Sequence, residues 1–439
     1  MAIVWWALLS DFTFGAQGRS LWTHLARDRK LGEVRSAQAH WSEESGSAVL
    51  QVSVSGVDSY AWVSLPPPSE GWDLSESEFV ESEVVNTGAG PVHVMLWVVG
   101  AAGWEAVPAV SVIEAGKTQR LRVSLRETHP DKTPKINPGK IDQVQLMVLR
   151  NWKERLGKTV VARSSEKGVR TLELRSLNAV GNLPIWTPPP GRLELPPVEE
   201  RRPGAGRRVR YRLAGDESSG IDAVLNLPRD WREGGRYPLI VEFPGNIFFT
   251  EGCYSTGRPE QCVIGYGICR GEGAICLGLP FVNRKAGGVA ENGWGVEEET
   301  AGFATAMVKE VCEKFGGDSK NVVLTGFSRG ALACGYIGLR DDRIASLWKG
   351  FHACQHYDGD GWNGATMEGA LVRARRFRGR SVFQTDNSES FLKEVMDAMG
   401  VPVRFANSGL GSHATAMFLD ERPSTRDLRE WFRDLVSKP

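Results

Sequence analysis

The residues able to do chemistry lie in the carboxyl-terminal half. Ser328 sits in GFSRG, between the apolar run NVVLT and the small-residue run ALACGYIGL. A chain turning sharply from strand to helix there strains its central residue and lifts the Oγ above the sheet edge. Gly326 and Gly330 have no Cβ, so the two elements can crowd the corner. A serine hydroxyl attacks an acyl carbon only when a base takes its proton. Of seven histidines, His413 alone lies beyond the last acid able to orient it, in the Gly- and Ser-rich NSGLGSHATAMF. Asp386 directly follows RSVFQT, at a strand end where an orienting carboxylate belongs. Its other reading is a cap for a helix beginning near Ser388, and Glu389 and Asp358 compete for the orienting role. An oxyanion would be met by the amide of Arg329 and by the turn Pro244-Gly245-Asn246 after YPLIVEF. Proline has no N–H, so Asn246 or its neighbour Gly245 must donate.

A second cluster is FHACQHYDGDGW. His352, Cys354 and His356 share one face of an extended chain, with Asp358 and Asp360 nearby, a set that could hold a metal. The favoured reading is a strand end that walls a substrate pocket, with His356, Tyr357 and Trp294 facing substrate. On that reading neither a metal nor an organic cofactor is called for.

These residues need elements to hold them. From about residue 209 the text alternates strand and helix. YPLIVEF and GAICLGLPF are continuous apolar runs of the kind buried on both faces. Phe303, Met307, Val311 and Phe315 recur every four residues, and NVVLT, RSVFQT and PVRFA are further strands. This predicts a mostly parallel sheet flanked by helices over 209–439. Residues 1–180 read differently. Leu50, Val52 and Val54 alternate with polar residues, as do Leu121, Val123 and Leu125, then Val144, Leu146 and Val148; Leu172 with Leu174 closes the series. Period two without a long helical pattern predicts an all-β sandwich. Between them, 181–208 is rich in Pro, Gly and Arg and reads as a solvated, semi-rigid linker.

Composition narrows the partners. Lys plus Arg and Asp plus Glu both total 53, giving a net charge of zero and no argument for nucleic acid. No apolar run is long enough to cross a bilayer. MAIVWWALLS reads as a first buried strand, with a secretory-signal remnant as the alternative; against the latter, no basic residue precedes its apolar block and Asp11 follows closely. All seven cysteines lie between 253 and 354, and Cys253 with Cys262, or Cys269 with Cys276, could close small loops. An oxidising compartment is slightly favoured, so the expected location is secreted or periplasmic in a bacterium, with the cytoplasm as the alternative. Nothing in the sequence bears on association.

Taken together, EFPGN, GFSRG, Asp386 and His413, in that order, resemble an α/β-hydrolase of the esterase branch over 209–439. The likeness is to esterases of the polyhydroxybutyrate-depolymerase and feruloyl- or acetyl-esterase type. GFSRG is also similar to the elbow of glucuronoyl esterases, but the lysine expected shortly after it is missing. The first half, through GWDLSESEF, NTGAGPVHVMLWV, IEAGKTQRLRVSL and KIDQVQLMV, resembles the carbohydrate-binding β-sandwich modules that accompany polysaccharide-degrading enzymes. Ten of fifteen tryptophans precede residue 187, and indole faces stack on sugar rings. The resemblance implies a serine esterase with Ser328, Asp386 and His413 as its triad, removing acyl groups such as acetyl or feruloyl from polysaccharide. The rivals are a serine peptidase of the prolyl-oligopeptidase kind, a general carboxylesterase with a bracing β domain, and a carbohydrate-binding protein whose second half is inert.

Overall fold

The computed structural model describes residues 18–55, 59–156, 159–164, 168–401 and 403–438. The amino-terminal strand expected in MAIVWWALLS lies outside them. The chain forms two units. Of the described residues, one holds those up to 98, 108–126 and 138–187; the other holds 99–107, 127–137 and those from 188 onward.

The first unit is built of antiparallel strands in two principal sheets. One contains Ser47–Val54, Phe79–Asn86, Thr118–Ser124 and Arg170–Leu174; the other contains Tyr60–Leu65, Ile141–Leu149 and Val92–Gly100. The first sheet buries the alternating row Leu50, Val52 and Val54, whereas in the second both faces are covered: Gln145, Met147 and Leu149 are buried as well as Val144, Leu146 and Val148. Side chains alternate faces along a strand, so in the first sheet this period-two row is the apolar face.

The second unit is a nine-stranded mixed sheet. Its strands, numbered within this unit, are β1 (Val198–Glu199), β2 (Arg208–Arg212), β3 (Asp222–Asn226), β4 (Tyr237–Phe243), β5 (Ile275–Gly278), β6 (Gly317–Phe327), β7 (Gly350–Cys354), β8 (Ser381–Thr385) and β9 (Val403–Ala406). Their order across the sheet is β1-β2-β3-β5-β4-β6-β7-β8-β9. The pairs from β5 through β4, β6, β7 and β8 to β9 are all parallel, while β3 runs antiparallel to β2 and β5. Parallel strands need crossovers, and helices supply several of them. Those in the core are α1 (Ile264–Cys269), α2 (Glu297–Phe315), α3 (Arg329–Tyr336), α4 (Met367–Ala374), α5 (Glu389–Met399) and α6 (Pro423–Ser437). One apolar core gathers Leu239, Val241 and Leu324 with Met307 and Val311 of α2, Leu332 of α3 and Leu392 of α5. The other gathers Ile240, Val323 and Phe383 with Ile264 of α1 and Leu428 and Trp431 of α6. Alternating strand residues feed the two cores, which is why these strands read as unbroken apolar runs. Helix α2 opens on three glutamates, favoured by the positive end of its dipole, and ends on Gly316 at φ 76°.

The stretch read as a solvated linker is partly packed. Leu195 is buried with Val263, Tyr266 and Leu419, the Leu193 N–H donates to the Leu419 carbonyl (2.7 Å), and Val198–Glu199 pairs with β2. Proline removes donors but leaves carbonyls and leucines free to pack, so the composition alone misjudged this segment.

Candidate active site

Register places the site. Cα partners run Phe243 with Gly326, Phe327 with Cys354, Cys354 with Thr385, and Thr385 with Ala406. Five parallel strands therefore end in one row, and the residues after them face the same edge. Three of those residues have left-handed backbone: Ser328 (φ 55°), Gln355 (φ 66°) and Asp386 (φ 55°). Each donates its N–H to the last carbonyl of the next strand: Ser328 to Cys354 (3.1 Å), Gln355 to Thr385 (2.9 Å) and Asp386 to Ala406 (2.9 Å). Non-glycine residues persist in this conformation only when their surroundings over-determine it, and this hydrogen-bond staircase does so.

Ser328 is the N-cap of α3, with ψ −119°. A Cβ on Gly330 would lie 1.9 Å from the Phe243 carbonyl oxygen, and one on Gly326 would lie 2.1 Å from the Gly330 oxygen. Only glycine fits at either position. His413 Nε2 lies 3.0 Å from Ser328 Oγ, within hydrogen-bond distance, the geometry a hydroxyl and an activating base would need. The imidazole packs on Phe327 (ring centroids 4.6 Å apart). Its loop is held by Gln355, whose Nε2 donates to the Ser412 carbonyl (2.9 Å). Burial, and secondarily the neighbouring His356, pulls the His413 pKa down to about 4. The ring is thus neutral, able to accept a proton, above that pH.

Asp386 stands at the expected strand end, beside the same cavity as His413, but no hydrogen bond joins the two among the described residues. Its carboxylate accepts from the Ser408 N–H (2.6 Å) and the Ser408 hydroxyl (2.5 Å). Glu389 lines that cavity, of about 690 Å³, together with Asp386 and His413. Asp358, the other competitor, is buried with both oxygens taken by Arg373 (2.7 Å each).

A second cavity of about 240 Å³ touches Ser328 directly, lined among others by Asn246, Phe248, Ser255, Leu332, Trp362 and His413. Arg329 and Asn246, two of the residues expected to offer amides to an oxyanion, both border it. Asn246 is fixed by its Oδ1, which accepts from the Gly293 N–H (3.0 Å), and by its Nδ2, which donates to the Ile247 carbonyl (3.1 Å).

Three features went unread in the sequence. The Arg329 guanidinium is fully buried under the corner and donates to the carbonyls of Gly245 (2.7 Å), Gly257 (2.9 Å), Gly293 (2.8 Å) and Ala290 (3.1 Å). It lies 4.0 Å over the Phe281 ring, and burial lowers its pKa to about 9. One side chain thus ties three loops to the nucleophile's own helix. Trp104, from the 99–107 segment, packs edge-on against Phe327 (4.9 Å) and donates its indole N–H to the Gln261 carbonyl (2.8 Å). Trp362 walls the small cavity. An arginine beside a nucleophile, or aromatics flanked by glycine, are the available sequence signals, and neither specifies a partner.

Other expectations fall differently. His356 does line both cavities, and its Nδ1 meets Asp360 at 2.9 Å. Tyr357 and Trp294 do not line either cavity: both are buried in the core. Trp294 stacks on Tyr336 (4.6 Å) and donates to the Asn363 carbonyl (2.8 Å), leaving Trp362, edge-on to it at 5.1 Å, to form the wall. His352 is buried between the hydroxyls of Thr325 (2.7 Å) and Thr385 (3.0 Å), and burial lowers its pKa to about 3. Both its ring nitrogens are occupied, so it is a brace between β6 and β8. No disulfide joins the cysteines of the described residues, and the Sγ atoms of Cys269 and Cys276 lie 3.5 Å apart. No helix among the described residues is long and apolar enough to cross a membrane.

No protein-family model and no curated protein matches the chain. Solved structures similar to it include a fungal esterase from Rhizomucor miehei (14% identity, 53% of this chain and 84% of that one, TM-score 0.38). The isopeptidase AtxE2 (12%, 92% and 81%, 0.39) and a family 11 carbohydrate-binding module from Clostridium thermocellum (13%, 35% and 88%, 0.23) are also among them. At these identities and TM-scores none assigns a family.

Proposed function

We propose that the protein is a serine carboxylic-ester hydrolase, with Ser328 as nucleophile and His413 as general base. The observation carrying this reading is the 3.0 Å contact between His413 Nε2 and Ser328 Oγ, made at a strained strand-to-helix corner. In the first half-reaction the Ser328 proton passes to His413 as Oγ bonds the acyl carbon. The Arg329 and Asn246 amides receive the oxyanion, and His413 then protonates the departing alcohol. In the second, His413 deprotonates water, which releases the acyl group. Asp386 orients the imidazole by using carboxylate lone pairs that Ser408 leaves unoccupied.

The substrate we propose is an acyl decoration, acetyl or feruloyl, on polysaccharide. The small cavity beside Ser328 takes the acyl group against Phe248 and Leu332. The larger cavity, which His413 also lines, takes the alcohol side, with Asn387 and Asn407 offering hydrogen bonds to hydroxyls. The first unit adds carbohydrate affinity. Release of acetate or ferulate from acylated xylan, abolished by Ser328→Ala, tests this. Unchanged turnover in Ser328→Ala refutes the esterase reading, and hydrolysis confined to nitrophenyl esters refutes the polysaccharide substrate.

A further inference from the structure

The chain that supplies Asn246 returns to the same cavity nine residues later. Phe248–Thr250 and Cys253–Ser255 form a short antiparallel hairpin in which Ser255 pairs with Phe248, and both residues line the cavity that holds Ser328. Ser255 is 1% exposed, and its Oγ has no hydrogen-bond partner in the structure. It lies 3.4 Å from the position a Cβ on Gly245 would take, which places it beside the oxyanion turn. Buried hydroxyls are ordinarily satisfied, so an orphan at a cavity wall calls for a reason, and a hydrogen bond to a group that enters the cavity supplies one.

The surroundings hold that hydroxyl in place. Gln261, itself buried, clamps the backbone on both sides of Ser255: its Oε1 accepts from the Thr256 N–H (2.6 Å) and its Nε2 donates to the Tyr254 carbonyl (3.1 Å). Arg329 Nη2 ties the carbonyls of Gly245 and Gly257 together (2.7 and 2.9 Å). The oxyanion turn and the strand carrying Ser255 therefore hang from one guanidinium. A donor fixed before substrate arrives needs no reorganisation as charge develops.

We propose that Ser255 is a further catalytic residue, a third donor of the oxyanion hole that acts through its side chain. The proposal rests on the esterase reading above. As Ser328 Oγ bonds the acyl carbon and its proton moves to His413, the carbonyl π pair moves onto oxygen. Ser255 O–H donates a hydrogen bond to that oxygen and keeps its own proton throughout, the bond weakening when the carbonyl re-forms and the alcohol departs.

The test is Ser255→Ala in the full-length protein, assayed on 4-nitrophenyl acetate and against a trifluoromethyl ketone, whose adduct with Ser328 carries the oxyanion. Loss of one such donor predicts a fall in kcat on the order of 100-fold, with KM within about twofold. Inhibition by the ketone should weaken by a similar factor. The melting temperature should stay level or rise, because the hydroxyl removed had no partner to lose. A purely structural role would instead lower the melting temperature. The proposal is overturned if kcat stays within about threefold of the parent, if the loss tracks a lowered melting temperature, or if ketone affinity is unchanged. Failure of the underlying reading is separately visible, because Ser328→Ala would then hydrolyse the ester at the parent rate.

Discussion

Replacing His356 with glutamine should shift the acid limb of the pH profile upward, by an amount the geometry sets. The His356 and His413 rings are 5.9 Å apart, and a proton on His356 disfavours one on His413. His356 is substantially exposed and pairs with Asp360 at 2.9 Å, so a water-like dielectric applies. Coulomb's law then gives about 0.7 kcal/mol at 5.9 Å, or roughly half a pH unit. The rest of the displacement to about 4 comes from burial, the larger cause, and survives the substitution. His413 must be neutral to take the Ser328 proton, so kcat/KM for the parent should fall only as pH drops through about 4. In His356→Gln the limb should sit about half a unit higher, and high salt should shrink the difference. The assay is initial-rate hydrolysis of 4-nitrophenyl acetate after jumps from neutral pH. The same lowered pKa makes stability fall as pH drops. Between 6.5 and about 4 the unfolded chain binds the proton and the folded one does not, which costs roughly 3 kcal/mol. A parent acid limb at 6.5 or above, or a variant limb that stays put or moves down, would refute the assignment.

Gly330→Ala should destabilise the protein by about 3 kcal/mol in a denaturant titration, because its Cβ would meet the Phe243 carbonyl at 1.9 Å. Arg329→Met removes four bonds to loop carbonyls, so a loss of about 3 kcal/mol is expected; kcat should drop with it as Gly245 is released, and full activity in a well-folded variant would sink the argument. Asp386→Asn should cut kcat by about 1,000-fold or more while Glu389→Gln costs less than about fivefold; the reverse order would move the orienting role to Glu389.

What could be read from sequence and what could not divide along a physical line. The corner at Ser328 is a local matter: a strand, two glycines whose missing Cβ atoms the backbone needs, and a helix, all within a short stretch. The parallel strands were equally legible, since burial on both faces leaves residues 239 to 243 almost no freedom to be polar. The exception inside that run is instructive. Glu242 is buried, accepts from the Val263 and Gly265 amides (3.1 and 3.0 Å), and has a pKa raised to about 7 by burial. A carboxylate there satisfies the start of α1, which no apolar side chain could do. Trp104, the Arg329 guanidinium and the Ser255 hydroxyl stayed hidden because each meets backbone carbonyls or open space. A carbonyl is present at every residue, so a side chain seeking one leaves no complementary letter in the text.

The acid position shows the same limit in its sharpest form. For the proposed acid, strand end and chain order could be read from the sequence, and the structure gives Asp386 a left-handed backbone at that strand end. The direction of its carboxylate is decided by Ser408, twenty-two residues downstream, through two short bonds. Ser408 belongs to the loop that also carries His413, and Arg422 holds that loop through the Ser408 carbonyl (2.7 Å). The aspartate is therefore coupled to the histidine loop even without touching the ring: its bonds fix the loop's start, and Gln355 fixes it at Ser412. With two of roughly four acceptor sites occupied, the carboxylate retains capacity for an imidazole N–H. No bond joins the carboxylate to the ring among the described residues, so the proposed orienting role requires the segment carrying His413 to move.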